Sequence, residues 1–438
     1  MGSLSEYRIE GGYRLKGEVN VQGSKNSALP ILAACAVCRG VSVIHNCPLL
    51  SDIRATINIL KHLGCRVDMD GNTVTVDSTT VTADAVPDEL MHEMRSSVIF
   101  LGAVASRLGK AVLSLPGGCE IGLRPIDLHI DALRRLGAEI TEEGGHIYLD
   151  CPNGLTGTVI TLSFPSVGAT ENVLIAASTA KGTTVLVNAA REPEISDLAD
   201  FLNRCGARIS GAGEGIITIE GVQTLHGAEH TVIPDRIVAA TYMLAACVTQ
   251  GNVLLKNIIP AHLGPVVSLL QEAGCDVRVG PRMLRISAPP RIKAVSTVRT
   301  MPHPGFPTDV QAPMMSACSL ADGTTVVIET IFESRYRHVP ELCRFGADIL
   351  VDGRIAVIKG VPRLQAASVE ASDLRGGAAL VIAALAAQGE STVRGVRHMD
   401  RGYEAFERQL CQLGAHIRRP EDERKKTEKE TGDTDIAE

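Results

Sequence analysis

The sequence predicts an α/β protein of two domains, each assembled from three copies of one repeat. Two recurring markers and a nearly aromatic-free composition carry that prediction. The first marker is an apolar helix end, a glycine and then a strand: "LKHLGCRVDM", "LRRLGAEITE", "LNRCGARISG", "LQEAGCDVRV", "LCRFGADILV" and "LCQLGAHIRR". Its glycines are Gly64, Gly137, Gly206, Gly274, Gly346 and Gly414, a period of roughly 70 residues and longer than a usual solenoid unit. The second marker is a small-residue helix ending ahead of a β-rich run, as in "AVCRGVSVIHN", "STAKGTTVLVN" and "LAAQGESTVRG". Aromatics make up 3% of the chain and tryptophan is absent, while 45% is apolar. The interior must therefore be Ala, Val, Ile and Leu, and 438 residues exceed one ordinary core.

Each unit reads helix, strand, loop, helix, strand, strand. The first helix, carrying "AACAVC", "LGAVAS" or "IAALAA", is apolar almost all round and belongs inside its domain. The second, as in "IDLHIDALRRLG", carries charge on one side and reads as amphipathic. The marker glycines suit helix C-caps, where the chain turns through positive φ. Six units divide into two sets of three near "EHTVIPDRI". The opening "YRIEGGYRLKGEV" reads as a strand pair outside the six units that fits either domain. The tail 420–438 is charged, lacks apolar periodicity and reads as disordered.

A formal charge of -7 gives no electrostatic reason to expect nucleic acid or an anionic membrane. Twelve cysteines are too sparse for a disulfide scaffold, and no spacing suggests a metal site. Cys35, Cys38, Cys247 and Cys318 lie among small apolar residues and read as inert packing. "MGSLSEYRIE" has no apolar signal core and no run reaches spanning length, so a reducing cytoplasm is expected.

Several segments carry chemistry instead. Lys25 and Asn26 follow Gly23 and start a buried helix, where an anion is favoured; a solvated lysine is the bland alternative. Arg95, Arg124, Arg335, Arg375 and Arg401 recur at loops and helix starts. Singly each reads as a surface ion pair, but together, in a cleft between domains, they would hold a multiply charged anion. Asp373 reads equally as an N-cap and as a functional carboxylate. Asp309, after the Pro-rich "MPHPGFPT", reads as a fixed carboxylate and a candidate general base. Cys119 follows two glycines, with Arg124 and His129 placed to lower its thiol pKa; acid and nucleophile both remain open.

These residues sit in motifs that resemble the enolpyruvyl transferases: "GSKNSALPILAA", "GGCEIGLRPIDLHIDALRRLGA", "FPSVGATEN", "REPEISDLADFL", "FPTDVQAP", "HVPELCRFGA", "SDLRGGAALVIAAL" and "DRGYE". The resemblance runs from about Tyr7 to Arg419. It implies two inside-out α/β barrels of three βαβαββ units each, with domains at 24–231 and at 1–23 plus 232–419. The implied reaction moves the enolpyruvyl group of phosphoenolpyruvate to the 3'-hydroxyl of UDP-N-acetylglucosamine and releases phosphate, the first committed step of peptidoglycan synthesis. No cofactor or metal is implied.

In that resemblance Cys119 is the mobile-loop acid and the target of fosfomycin, and Asp309 is the base. Lys25, Asn26, Arg124, Arg335, Arg375 and Arg401 hold phosphoenolpyruvate. Asn26, Arg95, Arg124, Pro125, Ile126, Asp127, Leu128, Phe164, Ser166, Val167, Gly168, Asp309 and Ile331 form the nucleotide-sugar site, with His129 and Asp373 nearby. Phe164 stands where some members carry lysine. Two rivals remain: a transferase acting on shikimate 3-phosphate, which resembles "GSKS" and lacks the Gly-Gly-Cys lid, and a non-catalytic nucleotide-sugar-binding paralogue, which would have lost Lys25, Cys119 or Asp309.

Overall fold

Six helices rich in alanine form the two centres of the molecule, and this follows from their side chains. Lys25–Cys35, Phe100–Leu108 and Val167–Ala177 lie in one half, and Arg236–Val248, Gln311–Cys318 and Leu374–Ala386 in the other. Nearly every residue on them is buried, which only small side chains allow when three helices meet side by side. The computed structural model describes residues 5–93, 95–114 and 126–420. Its hydrophobic core falls into two clusters. One is drawn from Ala28 to Val232; the other joins Tyr7, Ile9, Leu15, Val19 and Val21 to residues from Ile237 to Ile417.

Six sheets wrap these helices, with the alternating burial of half-exposed strands. Helices inside and sheets outside make each half an inside-out barrel. The closure is visible in the strand order. In a typical sheet a unit's own three strands are antiparallel, and a short fourth strand arrives from the preceding unit, parallel to the first. Thus Val159–Thr161 pairs with Thr183–Val187, and Glu229–Thr231 returns to pair with Val41–His45, closing the first ring. All six marker glycines have positive φ, from 87° to 104°, so each is required where its amphipathic helix ends.

The opening strands correct the expected strand pair. Glu6–Glu10 and Lys16–Asn20 do not pair with each other. Glu6–Glu10 lies antiparallel between Glu390–Arg394 and His416–Arg418, supplying the strand that the sixth unit lacks. Lys16–Asn20 runs parallel to Asn252–Lys256 and closes the second ring. The sixth unit is therefore built from both ends of the chain.

The chain passes between the halves twice, and the two crossings pair. Gly23 bridges Pro234, Ser24 N–H donates to the Ile233 carbonyl at 2.7 Å, and Asp235 N–H donates to the Gln22 carbonyl at 2.9 Å. A Cβ on Gly23 would meet the Asn46 carbonyl oxygen at 1.7 Å, so no side chain fits at this crossing.

Candidate active site

The site is assembled where the inner helices begin, at the crossing between the halves. Asp235 caps Arg236–Val248 by accepting from Ile237 N–H and Val238 N–H at 2.8 and 3.0 Å. Its other oxygen accepts Lys25 N–H at 3.2 Å, so one carboxylate fixes the start of a helix in each half. Asp373 caps Leu374–Ala386 through Arg375 N–H and Gly376 N–H, which places Arg375 on the first turn. Asp373 thus holds the N-cap role that its sequence context suggested.

Lys25 extends to Asp52, with Nζ 2.6 Å from the carboxylate, and both are buried. Arg401 reaches the same carboxylate from the other half at 2.9 Å. Burial opposes the Asp52 charge, but Lys25 and Arg401 outweigh it and hold the carboxyl below its usual range. Burial moves Lys25 the other way, lowering its ammonium pKa; Asp52 resists, and Arg375 and Arg401 add to the fall. Cationic groups outnumber the carboxylate here, so an added anion would restore Lys25 toward its ordinary value.

A second carboxylate stands between two further cations. Asp309 accepts from Arg335 at 2.8 Å and from Arg375 at 3.0 and 3.2 Å. Both guanidinium groups are almost wholly buried, and the carboxylate is a quarter exposed. The Arg375 guanidinium lies 5.5 Å from the Tyr403 ring centroid and donates to Tyr403 Oη at 3.2 Å; Tyr403 Oη is in turn 3.0 Å from Thr241 Oγ1. Burial works against the Arg375 charge, but Asp309, Tyr403 and Asp235 raise its pKa above the ordinary arginine value. Arg375 also acts on Lys25 and Asp235, which joins the two knots electrostatically into one site.

Ile126, Asp127 and Leu128 lead into Asp127–Arg135, with Asp127 exposed and Leu128 half-buried. Ser166 caps Val167–Ala177 by accepting Ala169 N–H at 3.3 Å, placing Val167 and Gly168 on its first turn. Phe164 is 41% exposed just ahead of it. Asn26 is half-buried beside Lys25, and Ile331 N–H donates to Glu329 at 2.8 Å. Cys119, Arg124 and Pro125 lie outside the described residues, as does the side chain of Arg95.

One expectation needs correcting. His129 was expected to lower the Cys119 pKa as a cation, but its ring is buried and its pKa is depressed to about 4. It is neutral at pH 7 and supplies no such charge. Cys35, Cys38, Cys247 and Cys318 are buried, and burial contributes to raising all four thiols. Asp52, Asp235 and Tyr403 are site residues that sequence reasoning missed. Only Asp235 had a local signal, a carboxylate ahead of an apolar helix.

A family model described as EPSP synthase (3-phosphoshikimate 1-carboxyvinyltransferase) matches residues 9–410. The chain belongs to the enolpyruvyl transferase family. It is 51% identical to UDP-N-acetylglucosamine 1-carboxyvinyltransferase 2 of Caldanaerobacter subterraneus, over 94% of this chain and 99% of the relative. It is 48% identical to UDP-N-acetylglucosamine 1-carboxyvinyltransferase 1 of Symbiobacterium thermophilum, over 94% and 95%. The enolpyruvyl transferase NikO of Streptomyces tendae matches the structure with a TM-score of 0.86 and 28% identity, over 95% of this chain and 99% of that one. An EPSP synthase of Acinetobacter baumannii shares the fold at a TM-score of 0.72 and 19% identity, over 94% and 99%. Among the described residues, no helix of this family member is long and apolar enough to cross a membrane, and no acidic, histidine or cysteine cluster suits a metal.

Proposed function

We propose that the chain transfers the enolpyruvyl group of phosphoenolpyruvate to the 3'-hydroxyl of UDP-N-acetylglucosamine with release of phosphate, as a cytoplasmic step of peptidoglycan synthesis. The observation that carries the reading is the convergence of Lys25, Arg335, Arg375 and Arg401 from both halves on two carboxylates. A small, doubly functional anion carrying carboxylate and phosphate matches that excess of cations. The names of relatives about half identical to this chain support the nucleotide sugar as the acceptor.

Phosphoenolpyruvate gives Arg335 and Arg375 a new partner, and this frees Asp309 to accept the proton of the attacking hydroxyl. The hydroxyl oxygen bonds to C2 of phosphoenolpyruvate while C3 gains a proton from Cys119. The resulting adduct then returns a C3 proton to the Cys119 thiolate as the C2–O bond to phosphate breaks, restoring the double bond and releasing phosphate. Arg124 joins the anion site. Arg95, Pro125, Ile126–Leu128, Phe164, Ser166–Gly168 and Ile331 receive the nucleotide sugar, and Asn26 serves both substrates. The two halves act as domains, 24–231 and 1–23 with 232–419, and closing them over the substrates excludes water.

The test is phosphate release from phosphoenolpyruvate with UDP-N-acetylglucosamine or shikimate 3-phosphate as acceptor. Release with the nucleotide sugar alone, abolished by fosfomycin, is expected. Release only with shikimate 3-phosphate would transfer the chain to the sister activity, and binding without release would make it a non-catalytic paralogue. Cys119→Ser should cripple turnover; Cys119→Asp should keep activity and resist fosfomycin, and full sensitivity there would remove the assigned loop role.

A further inference from the structure

Asn172 lies on the inner helix Val167–Ala177, fully buried, and joins three segments around the 166–168 turn. Its Oδ1 accepts Gly102 N–H at 2.8 Å, and its Nδ2 donates to the Val98 carbonyl at 3.0 Å. Both partners are backbone groups whose roles cannot reverse, so the orientation of the amide is set by chemistry. The same Nδ2 is 2.8 Å from His129 Nδ1. An amide nitrogen only donates, so His129 Nδ1 must accept, and the ring proton must sit on Nε2.

The other edge of that ring faces Gly168. A Cβ placed on Gly168 would be 3.0 Å from His129 Cε1 and 3.1 Å from Nε2, so the imidazole occupies the space that a side chain would need. We propose that Asn172 is a positioning residue for the nucleotide sugar: it locks His129 as the neutral Nε2–H form, which presents a ring donor beside Gly168 to an acceptor oxygen of the ligand. The inference rests on the reading of 126–128 and 166–168 as the nucleotide-sugar site. Burial also favours the neutral ring, whose pKa falls to about 4. A neutral donor would let the site recognise an oxygen without changing its own charge across the neutral range.

The experiment uses the full chain labelled with 15N-histidine. Long-range proton–nitrogen correlation reads the tautomer, and the His129 signals are identified by their loss in His129→Gln. A proton on Nε2 and a bare Nδ1, unchanged from pH 8 to 5, are expected. Asn172→Asp places a carboxylate opposite Nδ1 and should draw the proton there. Calorimetric Kd for UDP-N-acetylglucosamine should then rise about tenfold or more, as for a lost bond to a charged acceptor. The KM for phosphoenolpyruvate should stay within about threefold, which separates misplacement of one ligand from general damage. A wild-type spectrum with the proton on Nδ1 overturns the proposal, whether or not the variant folds. A folded Asn172→Asp with a moved proton and unchanged nucleotide-sugar Kd overturns its functional half. Failure of the enzymatic reading appears separately, as tight nucleotide-sugar binding without phosphate release.

Discussion

Asp52 and Asp309 are each gripped by two cations, but they join different things. Asp309 takes Arg335 and Arg375 from its own half, so that knot forms when the half folds and has no need of closure. Asp52 takes Lys25 from its own half and Arg401 from the other, 349 residues away in sequence. Its knot exists only while the halves are together. One arrangement of charges thus serves two ends: a knot made within one half, and a contact made between the two.

Breaking the preformed knot should have the largest effect. Asp309→Ala removes the proposed base, for a loss of roughly 10²–10⁴ in kcat. It also strands two buried guanidinium groups, which costs about 3 kcal/mol of stability. Turnover within tenfold of wild type would remove Asp309 from the chemistry.

Asp52→Asn should cost less and act elsewhere. It leaves Lys25 and Arg401 facing each other with no anion between them, so the unliganded cleft should open. A larger radius of gyration in small-angle scattering is expected, reversed by saturating substrates, with kcat/KM down on the order of 10-fold to 100-fold, about the cost of a charged hydrogen bond. An unchanged radius would mean that the other contacts between the halves hold the cleft shut without Asp52.

Acid acts on stability and not on the reaction. Burial depresses His129 in one half, and His338 and His303 in the other, to about 4. In the unfolded chain these rings bind protons near pH 6.5, so between the two values the unfolded state binds more. Their contribution is complete above about pH 6.5 and is lost as pH falls toward 4. The slope is roughly 1 kcal/mol per pH unit for each of the two most buried rings. Asp52, with a depressed carboxyl, keeps its contribution until the pH passes below the ordinary carboxylate range. Urea midpoints from pH 8 to 4 check this; a flat midpoint down to pH 4.5 would contradict it.

What could be read in advance followed from locality. The six units were legible because each marker glycine is demanded by its own helix end, within a few residues. Asp373 and Asp309 were legible because each directly precedes a helix. Asp52 was not: on its own helix it is an ordinary acidic residue in the first turn of Ser51–His62, and only Lys25 and Arg401 make it part of the site. Tyr403, though it lies in "DRGYE", gave no sign of its role, since Thr241 comes from another unit and Arg375 from the far end of its own. The strand Glu6–Glu10 was legible as a strand but not as the missing piece of the sixth unit, because its partners lie near the far end of the chain.

That split unit bears on how the protein is made. Glu6–Glu10 leaves the ribosome long before Glu390–Arg394 and His416–Arg418, the strands it pairs with. At about 5–20 residues per second, its first partner follows roughly 20 to 80 seconds later. The first half can meanwhile fold as a continuous stretch, while the opening strand waits as an unpaired edge. Arg401 emerges in the same stretch as the strands that complete this sheet. The nascent chain therefore gains its charge-gripping cleft only after Arg401 has emerged, and a product truncated before that point would lack both the sheet and the grip.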